Sequence, residues 1–327
     1  MSGALPEREG RTHASSDFAV DLARLRDEGW RVDEIWPADE PHTAVLSQSG
    51  GERMRLTARS DSEPPSSRLA EFRPDFVLTR DSDDAGEGRA GMRYRDLLPV
   101  RLGGRYIASH ISIAEGGPVD DWVHYHGVAF QMIYVRRGWV KLVYEGQGEP
   151  FVMEAGDLVL QPPYIRHRVL ESSPGLEVIE IGCPALHKTY SDHDLQLPHG
   201  FTPDRMFSGQ QFLRHVAAVT PWIPFRGGEA QETGMKTATA GLAEVRTLRG
   251  GPLGFDGHDG ELVFGFVLDG SACLEAGGSH AINSGDAFAI PPSQPWAIGD
   301  ASTDFRLLHV TTAHMPEVIP VAPAKSA

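Results

Sequence analysis

Two stretches decide how this chain is read: Val123–Gly138, VHYHGVAFQMIYVRRG, and Gly156–His167, GDLVLQPPYIRH. In the first, one residue separates His124 from His126, four separate His126 from Gln131, and six separate Gln131 from Gly138. Side chains alternate along a strand, so His124 and His126 project to the same side. His167 and the side-chain oxygen of Gln131, brought in from neighbouring strands, could then fill two more positions of an octahedron. Imidazole and oxygen donors suit Fe(II), Ni(II), Mn(II), Co(II) or Zn(II). Positions left open on such a metal take substrate, water or O₂.

Around these stretches the chain reads as all-β. RYIASHISIA, FQMIYVRRGWVKLVYEG, PFVMEAG, DLVLQPP, HRVLES and LEVIEIG are strand-length runs separated by turns with Gly, Pro or Ser, the pattern of a sandwich or barrel. The rhythm breaks over 184–235 and resumes at 241 with GLAEVRTL, ELVFGFVLDGSACLEAGG, HAINSG, DAFAIPP and FRLLHVTT. The two β-rich stretches repeat each other. With Gly138 set on Gly270, FQMIYVRRG falls on LVFGFVLDG; with Gly156 set on Gly285, GDLVLQPPYIRH falls on GDAFAIPPSQPW. The second copy keeps His258 opposite His126, but has Asp256 for His124, Val263 for Gln131 and Trp296 for His167. It has lost its metal site and is expected to serve packing.

The spacing in the first copy resembles the cupin superfamily. The first cupin motif runs Gly, His-x-His, three or four residues, Glu, six residues, Gly. The second runs Gly, five residues, Pro-x-Gly, two residues, His, three residues, Asn. The resemblance covers about 100–185 strongly and 241–313 weakly. It implies a mainly β fold of two jelly-roll barrels, a bicupin, with metal ligands His124, His126, Gln131 and His167. Three positions depart from the motif: Gln131 stands for the Glu, Tyr164 for the second-motif Gly, and Glu171 for the final Asn. Gln for Glu removes a negative charge, so the metal stays more Lewis-acidic and repels an anionic substrate less. Such a ligand set resembles iron dioxygenases of the gentisate and diketone type, and cupins that linearise unsaturated uronates.

Residues 1–16 are expected to be a disordered leader, and 17–96 a small α+β module with a connector. In that module FAVDLARLRDEG reads as a helix ending at Gly29, and WRVDEIW, HTAVLSQ and ERMRLTA read as three short strands. The helix and meander resemble half of a glyoxalase-type βαβββ module. The remaining divisions are a metal-binding cupin at 97–185, a linker at 186–240, a degenerate cupin at 241–315 and a tail at 316–327. One strand, FVLTR, is expected in the connector.

The sequence has 327 residues, 45 acidic against 30 basic, for a net charge of −15. That field disfavours nucleic acid and anionic membranes as partners. No apolar leader or membrane-length run is visible, and Cys183 and Cys273 form no CxxC pair. A cytoplasmic protein with a small-molecule substrate and a homodimeric assembly is the expectation.

Other candidates carry less. His110, on the strand before the first motif, reads as a general acid/base or as a histidine outside the pocket. Tyr164 is placed with it as a catalytic candidate at the pocket mouth. Tyr125, Arg166 and Arg168 alternate with ligands and should face outward. His187, His193 and His199 read as loop residues before they read as a second metal site. The expected cofactor is one divalent metal per chain, Fe(II) ahead of Ni, Mn, Zn or Co. The leading function is a mononuclear Fe(II) dioxygenase for a small organic acid, enol or phenol. A non-redox lyase or isomerase on a sugar acid or similar carboxylate is the alternative, and a non-catalytic ligand-binding bicupin the second.

Overall fold

In the computed structural model, described over residues 11–59, 63–81, 86–87 and 92–321, strand Phe130–Arg137 shows how the molecule is divided. Its even-numbered residues Phe130, Met132 and Tyr134 belong to one buried cluster, whereas Val135 belongs to another. Both faces of this strand are covered, so apolar residues stand on each, Phe130, Met132 and Tyr134 on one and Ile133 and Val135 on the other. One face looks into the first barrel. The other packs against the second barrel through Phe264, Phe266, Leu308 and Val310. The two barrels therefore stand back to back on a shared core.

That core is crossed by a buried ion pair. Arg105 Nη2 and Nε reach the two carboxylate oxygens of Glu261 at 2.7 and 2.9 Å, and the Tyr106 hydroxyl donates to Glu261 at 2.9 Å. Bidentate geometry and the added hydroxyl offset the cost of taking both charges out of water.

The duplication is legible in the backbone. Bulges fall between Val135 and Arg137 and between Val267 and Asp269, at corresponding positions. Tyr164 and Ser293 both hold a left-handed φ, of 62° and 64°. Gly138 and Gly270 share a φ of 72°, and a Cβ at either would run into the hydroxyl of Ser173 or Ser302 at 2.3 or 2.4 Å. Each of those serines accepts the next backbone N–H, from Trp139 and Ser271.

Several expected boundaries are corrected. Residues 1–10 of the leader lie outside the described residues, but Arg11–Ala14 is a strand parallel to Arg53–Thr57, which covers an otherwise unpaired sheet edge. Helix Phe18–Asp27 follows, its first turn capped by the Asp17 carboxylate, which accepts from Val20 N. Phe18 and Leu25 are its buried positions, while Val20 is exposed. With strands Arg31–Trp36, Thr43–Ser47 and Arg53–Thr57 this makes a βαβββ arrangement. It is not a separate unit, because Arg31–Trp36 pairs with Thr189–Ser191, which pairs in turn with His124–His126.

The expected linker at 186–240 likewise contributes to both barrels. Leu213–His215 pairs with Leu158–Leu160 of the first, and Gly228–Glu232 with Ala243–Arg249 of the second. From the connector, Val77–Thr79 is the strand expected in FVLTR, yet it joins the second barrel by pairing with Ala287–Ile290. Strand Arg93–Asp96, a few residues on, pairs with Ile107–Ile113 of the first. The tail begins with Val318 bridged to Arg68. Most of these short strands are polar in sequence, and their pairing is set by the barrels they complete. Among the described residues, no helix is long and apolar enough to cross a membrane.

Candidate metal centre

His124 and His126 lie on one short strand, and His167 faces His124 across a ladder pair. Strand alternation then brings the three imidazoles together, with ring centroids 4.2 to 5.2 Å apart. One nitrogen from each comes within 4.8 Å of the others, and all three residues are buried. Each ring is anchored through Nδ1: His124 to the Trp122 carbonyl at 2.8 Å, His167 to the Ile165 carbonyl at 3.0 Å, and His126 to the Thr189 hydroxyl at 3.1 Å. The buried Asp121 carboxylate lies 3.4 Å from His124 Nδ1. An Nδ1–H donated to an oxygen puts the lone pair on Nε2, the arrangement metal-ligating histidines adopt.

Gln131 lines the same cavity. Its Nε2 donates to Glu180 Oε1 at 2.6 Å, while its own Oε1 is buried without a hydrogen-bond partner. A carboxylate only accepts, so the amide must turn its NH₂ toward Glu180 and its oxygen away from it. A buried, orphaned amide oxygen beside three oriented imidazoles is what a fourth neutral donor requires, and the residues present fit a divalent transition metal.

The cavity has about 90 Å³ open to the centres of water-sized molecules. Beyond the three histidines, its polar lining is Gln131, Gln161, Glu180 and Tyr94; the rest is largely aliphatic, including Ile111, Ile133, Leu142 and Val178. Behind His167 the Tyr144 ring stacks at 5.3 Å, and its hydroxyl accepts from Gln161 at 2.8 Å. Burial pushes the Tyr144 phenol well above its ordinary range, so it stays neutral.

The structure thus brings together His124, His126, Gln131 and His167. His110 is corrected. Ile111 and Ile113 of its strand line the cavity, so alternation turns His110 to the other face. There it meets Glu177 at 3.1 Å and lies 6.0 Å from the Phe266 ring of the second barrel. Tyr164 is corrected too. It is absent from the cavity wall, its ring lies 6.1 and 6.3 Å from those of Tyr125 and Tyr190, and its N–H donates to the His126 carbonyl. That backbone hydrogen bond ties the second-motif turn to the strand of His124 and His126.

Tyr125 and Arg166 face outward as expected, the guanidinium 4.7 Å above the Tyr125 ring and paired with Asp192 at 2.6 Å; Arg168 is exposed. His187 bonds the Pro184 carbonyl, His193 the Val32 carbonyl, and His199 is exposed, so the three form no common site. In the second copy, Trp296 stacks on Phe255 at 4.0 Å where His167 stands in the first. Sequence reading missed Glu180, Asp121 and Thr189. LEVIEIG carries two acidic residues, Glu177 and Glu180, and nothing in the sequence said which of them faces the cavity. Thr189 had none, since its strand pairs only in the folded chain.

Comparison with known proteins agrees with this architecture. The cupin domain model matches residues 109–181. Oxalate decarboxylase from Bacillus subtilis, in its structure at pH 4.6, superposes with a TM-score of 0.54 at 11% identity, over 78% of this chain and 80% of that one. Protein Ylba from E. coli superposes with a TM-score of 0.52 at 12% identity, over 76% and 94%. No curated protein sequence matches this chain. Residues 109–181 thus match the cupin domain, and the chain shares the mainly β, two-barrel fold of these structures, with a cluster of three histidines in the first barrel that could hold a metal ion.

Proposed function

We propose that the first barrel is a mononuclear metal-dependent dioxygenase for a small, weakly polar organic acid, enol or phenol. The observation that carries this reading is the aliphatic cavity wall around a neutral donor set. A divalent metal held by His124, His126, His167 and Gln131 would supply a Lewis-acid centre with its full positive charge, which favours an anionic chelating substrate. Ile111, Ile133, Leu142 and Val178 keep bulk water from the reacting face. Glu180, the one carboxylate in the wall, is placed to take the proton of an incoming hydroxyl.

The same wall argues against a sugar acid. Each hydroxyl set against aliphatic groups loses its water without a replacement, at about 1–3 kcal/mol apiece. Glu180 does favour a second reading, a non-redox lyase or isomerase on a less hydroxylated carboxylate, in which the carboxylate moves the substrate proton. Metal analysis of tag-free protein, followed by an oxygen-electrode screen of small acids, enols and phenols, separates the two. Iron with O₂ consumption is the expected result. Turnover under anaerobic conditions with Zn, Ni or Mn would establish the second reading instead.

A further inference from the structure

The second barrel has lost its metal donors, yet its interior is not closed. At the position of the first barrel's metal cavity lies a cleft of about 390 Å³, walled by Phe225, Phe255 and Trp296, with His258 and His309 at its polar side. Phe255 and Trp296 are paired across their strands and stack almost coplanar, 3° apart. The Phe225 ring lies 6.2 Å from Phe255. His309 sits against this aromatic pair, 5.1 Å from Phe255 and 5.5 Å from Trp296.

His309 is 4% exposed, and its Nε2 has no hydrogen-bond partner. Neither ring nitrogen of His258 makes a well-formed hydrogen bond. A buried polar atom that lines a cavity and bonds to nothing in the protein marks a place for an outside partner. Burial, with Arg246, Arg226 and His258 adding to it, holds His309 neutral, its pKa pushed down to about 3. A neutral imidazole offers one N–H donor and one lone pair, the complement of a hydroxyl, which both donates and accepts.

The charges on the wall cancel. Arg226 and Arg246 are set against Glu244 and Asp256, and Arg246 is already paired with Glu232 and Glu244 at 2.6 Å each. The cleft selects neither an anion nor a cation. Aromatic walls, unsatisfied imidazole nitrogens and formal charges that balance around the wall select a flat, uncharged ring bearing a hydroxyl.

We propose that the second barrel is a binding site for a small uncharged hydroxyaromatic, a phenol, separate from the metal centre. The test uses full-length, metal-stripped protein and phenol itself as the probe, with saturation-transfer NMR to detect binding and calorimetry to measure it. Saturable binding is expected in the wild type and in His124→Ala. Affinity should fall about tenfold in His309→Leu, which removes the hydrogen-bonding nitrogen, and by a similar factor in Phe225→Ala, which removes one wall. Phe225 lies at the partly exposed rim, so its variant carries the test should His309→Leu fail to fold. Absence of saturable binding overturns the proposal. So does binding that is lost in His124→Ala, or that is unchanged in Phe225→Ala.

Discussion

Gln131 donates its amide N–H to Glu180 at 2.6 Å, across adjacent strands of the first barrel. The contact fixes which end of the amide faces the carboxylate and so leaves the amide oxygen without a hydrogen-bond partner, able to serve as a donor to a metal. Glu180 thereby acts on the ligand set without belonging to it. Glu180→Ala is expected to weaken metal binding by about 10–100-fold, the usual cost of removing a group that orients a ligand. Glu180→Gln keeps an acceptor oxygen but no base, and should retain metal better while losing turnover. Competition against a chelator, alongside turnover, reads both effects; unchanged affinity in Glu180→Ala would refute this orienting role.

Replacing a ligand should separate metal from fold. His124→Ala, His126→Ala and His167→Ala are each expected to abolish metal retention. Their melting temperatures should stay within a few degrees of the metal-free wild type, because the barrel is held by the cluster around Val135, Val140, Met153 and Val159. Gln131→Ala should lose at least tenfold in affinity. Full retention in that variant would reduce Gln131 to a residue that holds only a water.

One metal per chain is expected, in the first barrel. His258→Ala and Trp296→Ala should leave metal content unchanged when it is measured by elemental analysis. Trp296 is 4% exposed within its own barrel's core, so Trp296→Ala should cost about 3–5 kcal/mol in denaturant unfolding. Two metal equivalents in the wild type would contradict the loss of the second site.

Removing residues 241–327 should give aggregated protein. The shared core would leave Phe130, Met132 and Tyr134 uncovered, and Arg105 would lose Glu261 while remaining in an apolar surface. The point variant Glu261→Ala isolates the ionic part, with an expected loss of about 3–5 kcal/mol from the buried, unpaired guanidinium. A soluble, active chain ending near residue 200 would overturn the dependence of one barrel on the other.

Acid should destabilise the protein through His309. Burial lowers its pKa from 6.5 to about 3 in the folded chain, so below pH 6.5 the unfolded chain takes up a proton that the folded chain refuses. Stability is full above about pH 6.5 and declines as pH falls toward about 3, by up to ~1.4 kcal/mol per unit. His309→Phe removes the titrating group. The slope of unfolding free energy against pH between 6.5 and 4 should therefore be shallower in that variant.

The sequence by itself determined the repeated barrel and the cluster of three histidines. Two-residue spacing fixes His124 and His126 on one face wherever the strand lies. The turn signals at Gly138, Gly156 and their counterparts are local conformations that survive in both copies. Only the tertiary structure decided which face of each strand looks inward. Strands such as Phe130–Arg137 and Ile107–Ile113 are covered on both sides, so the apolar pattern that assigns an inside to a half-exposed strand is missing, and His110 could not be placed. Long-range pairing also lay beyond the sequence. Thr189 reaches His126, Glu180 reaches Gln131 and Val77–Thr79 crosses to the second barrel. Each contact depends on register between segments distant in the chain, and that register is set when the two barrels close against one core.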